Sequence, residues 1–273
     1  MEQSSTPDIT FFTIAFAVYI AAFVAFLVRS ATRQTLWGWI GVAGLYAGSV
    51  SQLIALGIRW KIAGTIPLAS MHEFASIMSW MAAISLGVLI TQTRRFELGS
   101  YISPIVLGIM AIASLLPTRI TEQLVPALQS YWLHIHVSMA AVSEGAFAVS
   151  CGLAIYYLIK ERRPETTPAE LARLDVLNHR AISIGYPLFT LGALFAGAIW
   201  AYNAWGSFWS WDPKEVGSWI IWLFYTGYLH ARYKRNWQGR RAAILAIVGF
   251  AMVILSFLGN LFLGGQHSYE SFD

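Results

Sequence analysis

The chain has 273 residues, of which 57% are hydrophobic and only 12% charged, with 18 Lys and Arg against 14 Asp and Glu. Soluble domains carry about 25% charged residues, so this composition excludes an ordinary soluble enzyme. The net charge of +4 comes without any basic cluster interleaved with aromatics, which argues against a nucleic-acid partner.

The apolar residues fall in long blocks. Residues 10–28 read TFFTIAFAVYIAAFVAFLV, 19 positions without a charge, and about 20 such residues cross a bilayer as a helix. This block is too long for a removed signal peptide and lacks the basic front and cleavage site of one. Further blocks lie near 36–58, 71–91, 101–116, 131–159, 180–203, 216–233 and 241–263. The expectation is an all-α, polytopic membrane bundle of about eight spanning helices, forming a single domain over 1–273. Segment 101–116 is short and contains Pro104. Between the fifth and sixth blocks, Thr167, Pro168 and Glu170 fit N-cap, N1 and N3 of a helix. Leu171, Leu174 and Leu177 follow at spacing three, so residues 160–179 read as an amphipathic cytoplasmic segment.

Basic residues collect in cytoplasmic loops. With the N-terminus outside, the inner loops carry fourteen of them: Arg29, Arg33, Arg94, Arg95, Lys160, Arg162, Arg163, Arg173, Arg180, Arg232, Lys234, Arg235, Arg240 and Arg241. The outer segments carry Arg59, Lys61, Arg119 and Lys214. Both termini are therefore expected on the outer side, together with the stretch WGSFWSWDPKEVGSW, residues 205–219. The lone cysteine, Cys151, sits within the fifth block. It permits no disulfide and no CxxC motif and reads as an inert core residue.

The stretch 205–219 holds four tryptophans and, among them, Asp212, Lys214 and Glu215. Asp212, Pro213 and Glu215 match N-cap, N1 and N3 of the next helix. A capped start would fix the loop and hold Trp205, Trp209 and Trp211 as a preformed platform. An interfacial aromatic belt explains scattered tryptophans, but not four within fifteen residues. Of the six histidines, His136 and His267 fall at the same expected membrane face as this loop. His134 lies two residues from His136, about 200° around a helix, so the two cannot face one ligand. His230 lies near the inner end of the seventh block, His72 at the outer start of the third and His179 at the inner start of the sixth. Each histidine alone reads as an interfacial side chain satisfied by water or a carbonyl. Two of them beside an aromatic floor suggest haem iron rather than a bare ion.

The motifs carry a family resemblance. WGSFWSWDPKE, with WLHIHVS upstream and GGQHSY downstream, resembles the tryptophan-rich WWD signature and its flanking histidines in the CcsA/ResC-type component of the System II cytochrome c synthase. LDVLNHRAISIGYPLFTLGALFAGAIWAYNAWG and WLFYTGYLHAR are similar to that family too, so the match covers about residues 120–267. The third helix has His72 where the family would have a tyrosine, so no family role transfers to it.

The resemblance implies that haem b binds on the outer side, with His136 and His267 as axial ligands and Trp205, Trp209, Trp211 and Asp212 in the platform. His230 matches an intramembrane histidine that holds haem with a ligand from a partner chain. That partner is a ResB/Ccs1-like membrane subunit with a large outer domain. Haem would enter from the cytoplasmic side, pause at His230 and reach the outer face, where its vinyl groups meet the thiols of an apocytochrome c CxxCH motif. The chain would then be a subunit of a haem-lyase-type holocytochrome c synthase, in a bacterial plasma membrane or a thylakoid membrane. Arg59, Lys61, Arg119 and Lys214 are the candidate propionate partners. Two other readings stay open at this point: a haem transporter or chaperone without ligation chemistry, and a haem-bearing subunit of a respiratory complex.

Overall fold

The structure, a computed structural model, describes residues 6–120 and 126–263. All secondary structure among the described residues is helical. Seven helical rods are long and apolar enough, by length and composition, to cross a membrane. The chain divides into two compact units, Met1–Leu124 and Val125–Asp273.

The first unit contains α1 (Pro7–Thr32), α2 (Thr35–Ala63), α3 (Met71–Thr93) and α4 (Glu97–Leu115). Pro104 lies inside α4, and the helix continues through it. α1 and α2 approach closely because α2 presents Gly41 and Gly48 to aromatic rings. A β-carbon at either would meet Phe26 or Tyr19 at 2.5 Å. Small residues at such contacts are what let helices pack where lipid removes the hydrophobic drive. Hydrogen bonds add to this. Gln52, fully buried on α2, accepts from the Tyr19 hydroxyl at 3.0 Å and donates to the Ser76 carbonyl at 2.9 Å and to Ser79 Oγ at 3.0 Å.

At the other end of this unit Arg59 is a buried hub. Its Nη1 donates to Asp8 at 2.9 Å, its Nε to Glu73 at 2.6 Å and its Nη2 to the carbonyls of Thr118 and Arg119, both at 3.0 Å. Glu73 in turn closes a capping box with Ser70 at the start of α3. At 2% exposure Arg59 is a cross-brace between α1, α2 and α3. This corrects the expectation that it could meet a haem propionate, because its buried guanidinium is already engaged by two carboxylates and two carbonyls. Arg59→Ala strands two buried carboxylates and should destabilise the protein by about 3–5 kcal/mol. The check is the thermal unfolding midpoint in lipid nanodiscs, where an unchanged midpoint would count against the brace.

The second unit contains a short 3₁₀ turn (Pro126–Gln129), α5 (Tyr131–Glu161), α6 (Pro168–Phe189), a π-helical turn (Thr190–Ala196), α7 (Gly197–Trp205), α8 (Pro213–Arg235) and α9 (Arg240–Phe262). α6, the π turn and α7 form one 38-residue rod, Pro168–Trp205. Thr167 caps its start by accepting from Glu170 N. Pro187 precedes the π turn by three residues.

Across this unit, Phe147 of α5 stacks on Tyr225 of α8 at 3.7 Å. Asp175 of α6 grips Arg232 of α8 through both carboxylate oxygens, at 2.8 and 2.7 Å, and also accepts from Gly239 N at 2.9 Å. That carboxylate pins the α8–α9 turn onto α6. α8 has the length to span but a lower hydropathy than the seven rods, because Trp, Tyr and Gly replace aliphatic residues. Its buried face carries Ile221, Tyr225, Tyr228 and Ala231. Its exposed face carries Trp219, Ile220, Leu223, Gly227 and His230.

A tryptophan loop and a tautomer-fixed histidine form the candidate site

The loop between α7 and α8 is held by one carboxylate. Glu215 Oε2 accepts from Ser210 N at 2.7 Å and from Asp212 N at 3.2 Å, while Oε1 accepts from the Ser210 hydroxyl at 3.1 Å. Asp212, 5% exposed, caps α8 by accepting from Lys214 N at 3.0 Å. The capping box expected from the sequence is therefore present. Trp211 lies between the two clamped amides. Its φ is +62°, the left-handed region that bulky residues avoid. The other non-glycine residues with positive φ among the described residues, Arg33, Arg94 and Asn236, are helix C-caps. Trp211 is 67% exposed. The clamp holds the backbone in a costly conformation and presents a large apolar ring outward, a form of strain that persists only where surrounding bonds enforce it.

The rings do not lie in one plane, contrary to the expectation of a flat floor. Trp209 meets Trp211 edge to face at 5.7 Å and 87°, and Trp211 meets Trp219 at 6.3 Å and 90°. Trp200 and Trp205 cross at 4.8 Å and 76°. Ring quadrupoles favour these T-shaped pairs. The loop is a set of interlocked walls.

His136 is set by a different device. Gly192 lies in the π turn, and its carbonyl accepts from Gly197 N, five residues on. The same oxygen lies 3.0 Å from His136 Nδ1. A carbonyl oxygen only accepts, so Nδ1 carries the proton and Nε2 keeps a lone pair. This is how ligating histidines are usually prepared by their surroundings. The ring also stacks on buried Trp200 at 5.9 Å and 6°. Gly197 permits the approach, since a β-carbon there would meet His136 Cε1 and Nδ1 at 2.9 Å.

The structure thus brings His136 into one aromatic system with Trp200 and Trp205. His230 stands exposed on α8, eleven residues beyond Trp219. His267 lies outside the described residues. α9 ends at Phe262, five residues before it, which is a tether of at most about 17 Å. Near the start of α8, Gly217 packs on Ser256 of α9, so the end of α9 lies beside the tryptophan loop. His72 is buried, with Nδ1 donating to the Ala113 carbonyl at 2.8 Å. His179 Nε2 lies 3.1 Å from the Tyr233 hydroxyl. Cys151 is a free, buried thiol. Among the described residues no three His, Cys, Asp or Glu side chains converge as a bare-ion site would need.

Sequence reasoning missed four parts of this site. Trp200, the π turn and the pair Gly192 and Gly197 support His136, and the only trace of them is Pro187 followed by glycines five apart. Glu144, two turns along α5 from His136, is buried at 8% exposure, and its Oε2 has no partner among the described residues. Lys214 is near enough for its charge to act on both His136 and Glu144.

Residues 9–267 match the family described as cytochrome C assembly protein. The chain belongs to that family. It is 37% identical over 258 residues to the cytochrome c biogenesis protein CcsA of Guillardia theta, with 85% of each chain covered. To the CcsA of Synechococcus elongatus it is 37% identical over 287 residues, covering 85% of this chain and 88% of the relative. To that of Chlamydomonas reinhardtii it is 38% identical over 232 residues, covering 81% of this chain and 65% of the relative. A solved structure of the cytochrome c haem lyase CcmF superposes with a TM-score of 0.68 at 16% identity. That likeness of fold covers 96% of this chain and about half of the lyase, 50%.

Proposed function

We propose that this member of the cytochrome c assembly family carries haem within the membrane and presents it at the tryptophan loop for covalent attachment to an apocytochrome CxxCH motif. The observation that carries the reading is the His136–Gly192 bond, which makes Nε2 a ready iron ligand beside the aromatic walls. His267 supplies the second axial ligand, with Trp205, Trp209, Trp211 and Asp212 forming or fixing the platform. His230, exposed on α8, holds haem b earlier on the route, opposite a ligand from a ResB/Ccs1-like subunit. The fourteen-to-four division of basic residues supports an orientation with the loop and both termini outside. Lys214, which lies within the tryptophan loop itself, is the basic residue assigned to a haem propionate.

The reaction is redox-neutral. Each cysteine S–H adds across a vinyl C=C, with the sulfur bonding to one carbon and the hydrogen going to the other. Described residues offer no cysteine thiol at the loop, because Cys151 is buried within α5. Both thiols therefore come from the apocytochrome, and this chain contributes ligation, orientation and exclusion of water.

The test is the purified two-subunit complex given a reduced CxxCH peptide. Haem that stays on the peptide through denaturing electrophoresis supports a synthase. Haem that is bound and released without a thioether bond would make the chain a transporter or chaperone.

A further inference from the structure

We propose that Glu144 balances the charge of the haem iron held by His136, standing as a carboxylate beside ferric iron and as a neutral acid beside ferrous iron. The proposal rests on the reading that His136 ligates haem.

No contact within the chain accounts for a carboxyl group at this position. Glu144 is 8% exposed, and its Oε2 has no partner among the described residues. α6 closes over this stretch of α5. A β-carbon on Gly185 would meet the Ser143 carbonyl at 3.0 Å, and Phe147, one turn beyond Glu144, is stacked on Tyr225. A buried carboxylate is costly unless a hydrogen bond or a counter-charge compensates it. The other buried acids among the described residues are compensated: Asp8 and Glu73 by Arg59, Asp175 by Arg232, and Asp212 by the start of α8. Glu144 makes no ion pair with any described residue.

Ferric iron at His136 supplies the missing counter-charge. Glu144 follows His136 by eight residues on one helix, about 12 Å along the axis, and charges inside a protein are screened far less than charges in water. Between a porphyrin dianion and two neutral imidazoles, ferric iron leaves a single net positive charge and ferrous iron leaves none. His136 adds no charge of its own, because only Nδ1 carries a proton, donated to the Gly192 carbonyl. When a one-electron reductant delivers its electron to the iron, one proton from water bonds to a carboxylate oxygen of Glu144. Oxidation reverses both transfers. The site then carries the same net charge in both states, within a core that tolerates little. Lys214 of α8 also faces Glu144, but is assigned to a propionate once haem is bound. The other titratable groups around Glu144 are Tyr225 of α8, Cys151 of α5 and Tyr186 of α6, whose hydroxyl is bonded to Thr226 at 2.8 Å. Residues 242–262 of α9 and 187–201 of the long rod contain none.

The test is a redox titration of the chain with its partner subunit in lipid nanodiscs, followed by absorbance and repeated across pH. Dithionite is the reductant and ferricyanide the oxidant. The loop haem is assigned by its loss in His136→Ala. In the unmodified complex its midpoint potential should rise as pH falls, approaching about 59 mV for each tenfold change in proton activity. Glu144→Gln keeps the side-chain shape and removes the proton site. Its potential should lose that slope, meeting the unmodified value at the acid end and lying above it at the alkaline end, where the native site holds one more anion. Glu144→Asp should restore the slope over a displaced pH range. An undiminished slope in Glu144→Gln would overturn the proposal and assign the proton to the propionates. So would a constant offset at every pH, which is what altered packing alone produces. Should Glu144→Gln fail to assemble, Glu144→Asp decides, and a curve that does not move counts against Glu144. If His136→Ala keeps the loop-haem spectrum, the ligand reading fails rather than the choice of Glu144.

Discussion

With His136 replaced by alanine, the protein should insert and fold but retain no haem at the tryptophan loop, and cytochrome maturation should stop. The ring makes one hydrogen bond, to a carbonyl that also accepts from Gly197 N, so its removal leaves no buried group unsatisfied. The expected signature is loss of the bis-histidine absorbance spectrum at normal protein abundance. Exogenous imidazole should refill the vacant position and restore part of it. Gly197→Val reaches the same end by another route. A side chain there must displace the His136 ring, which would lie 2.9 Å from its β-carbon, and imidazole should rescue it poorly because the ring still fills the space. His134→Ala should be mild by comparison. A severe His134→Ala with a benign His136→Ala would place the ligand on the wrong side of α5.

The second large effect is expected at Glu215. One carboxylate accepts from two backbone amides and a hydroxyl on both sides of Trp211. Hydrogen bonds to a charged group contribute about 1.5–3 kcal/mol each, enough to hold a residue in the left-handed region. In Glu215→Ala, Trp211 should relax to a negative φ and leave its outward position. Thioether formation should fall sharply while the helices persist. Glu215→Gln keeps one acceptor oxygen and should be intermediate. Asp212→Asn should be nearly silent, because Asn caps as well as Asp, whereas Asp212→Ala should cost about 0.5–2 kcal/mol. Tryptophan fluorescence anisotropy and peptide ligation on the same preparations separate the two residues. If Glu215→Ala ligates normally, the strained ring has no part in the chemistry.

Much of this architecture was legible in the chain because bilayer physics simplifies it. Charge-free blocks of spanning length mark rods whatever their partners. Ser, Thr or Asp followed three residues later by Glu marks their starts, as at Asp212 and Glu215. Local signals of that kind also predicted the cap on Thr167. What could not be read is everything decided between rods. Arg59 looked like a free cation at a loop, because its charge is visible in sequence while Asp8 and Glu73, fifty-one and fourteen residues away, are not visibly its partners. The support beneath His136 comes from Gly192, fifty-six residues away. It depends on one carbonyl having two donors, a fact of three dimensions. The tryptophans were visible, but their edge-to-face order follows from ring quadrupoles and a strained backbone rather than from spacing.

The π turn in the long rod also acts as a phase shifter. A helix advances 100° per residue, and a π turn absorbs one extra residue without ending the rod. The half that carries Asp175 and the half that carries Trp200 therefore keep separate angular registers. One half is aligned to the bolt at Arg232, the other to the ring of His136. Deleting a single residue between Thr190 and Ala196 would bring both halves onto one register. The rod would become an unbroken α-helix with Trp200 and Trp205 still facing as they do now, but the wide turn in which the Gly192 carbonyl meets Gly197 N five residues on would be lost, and with it the acceptor that fixes His136.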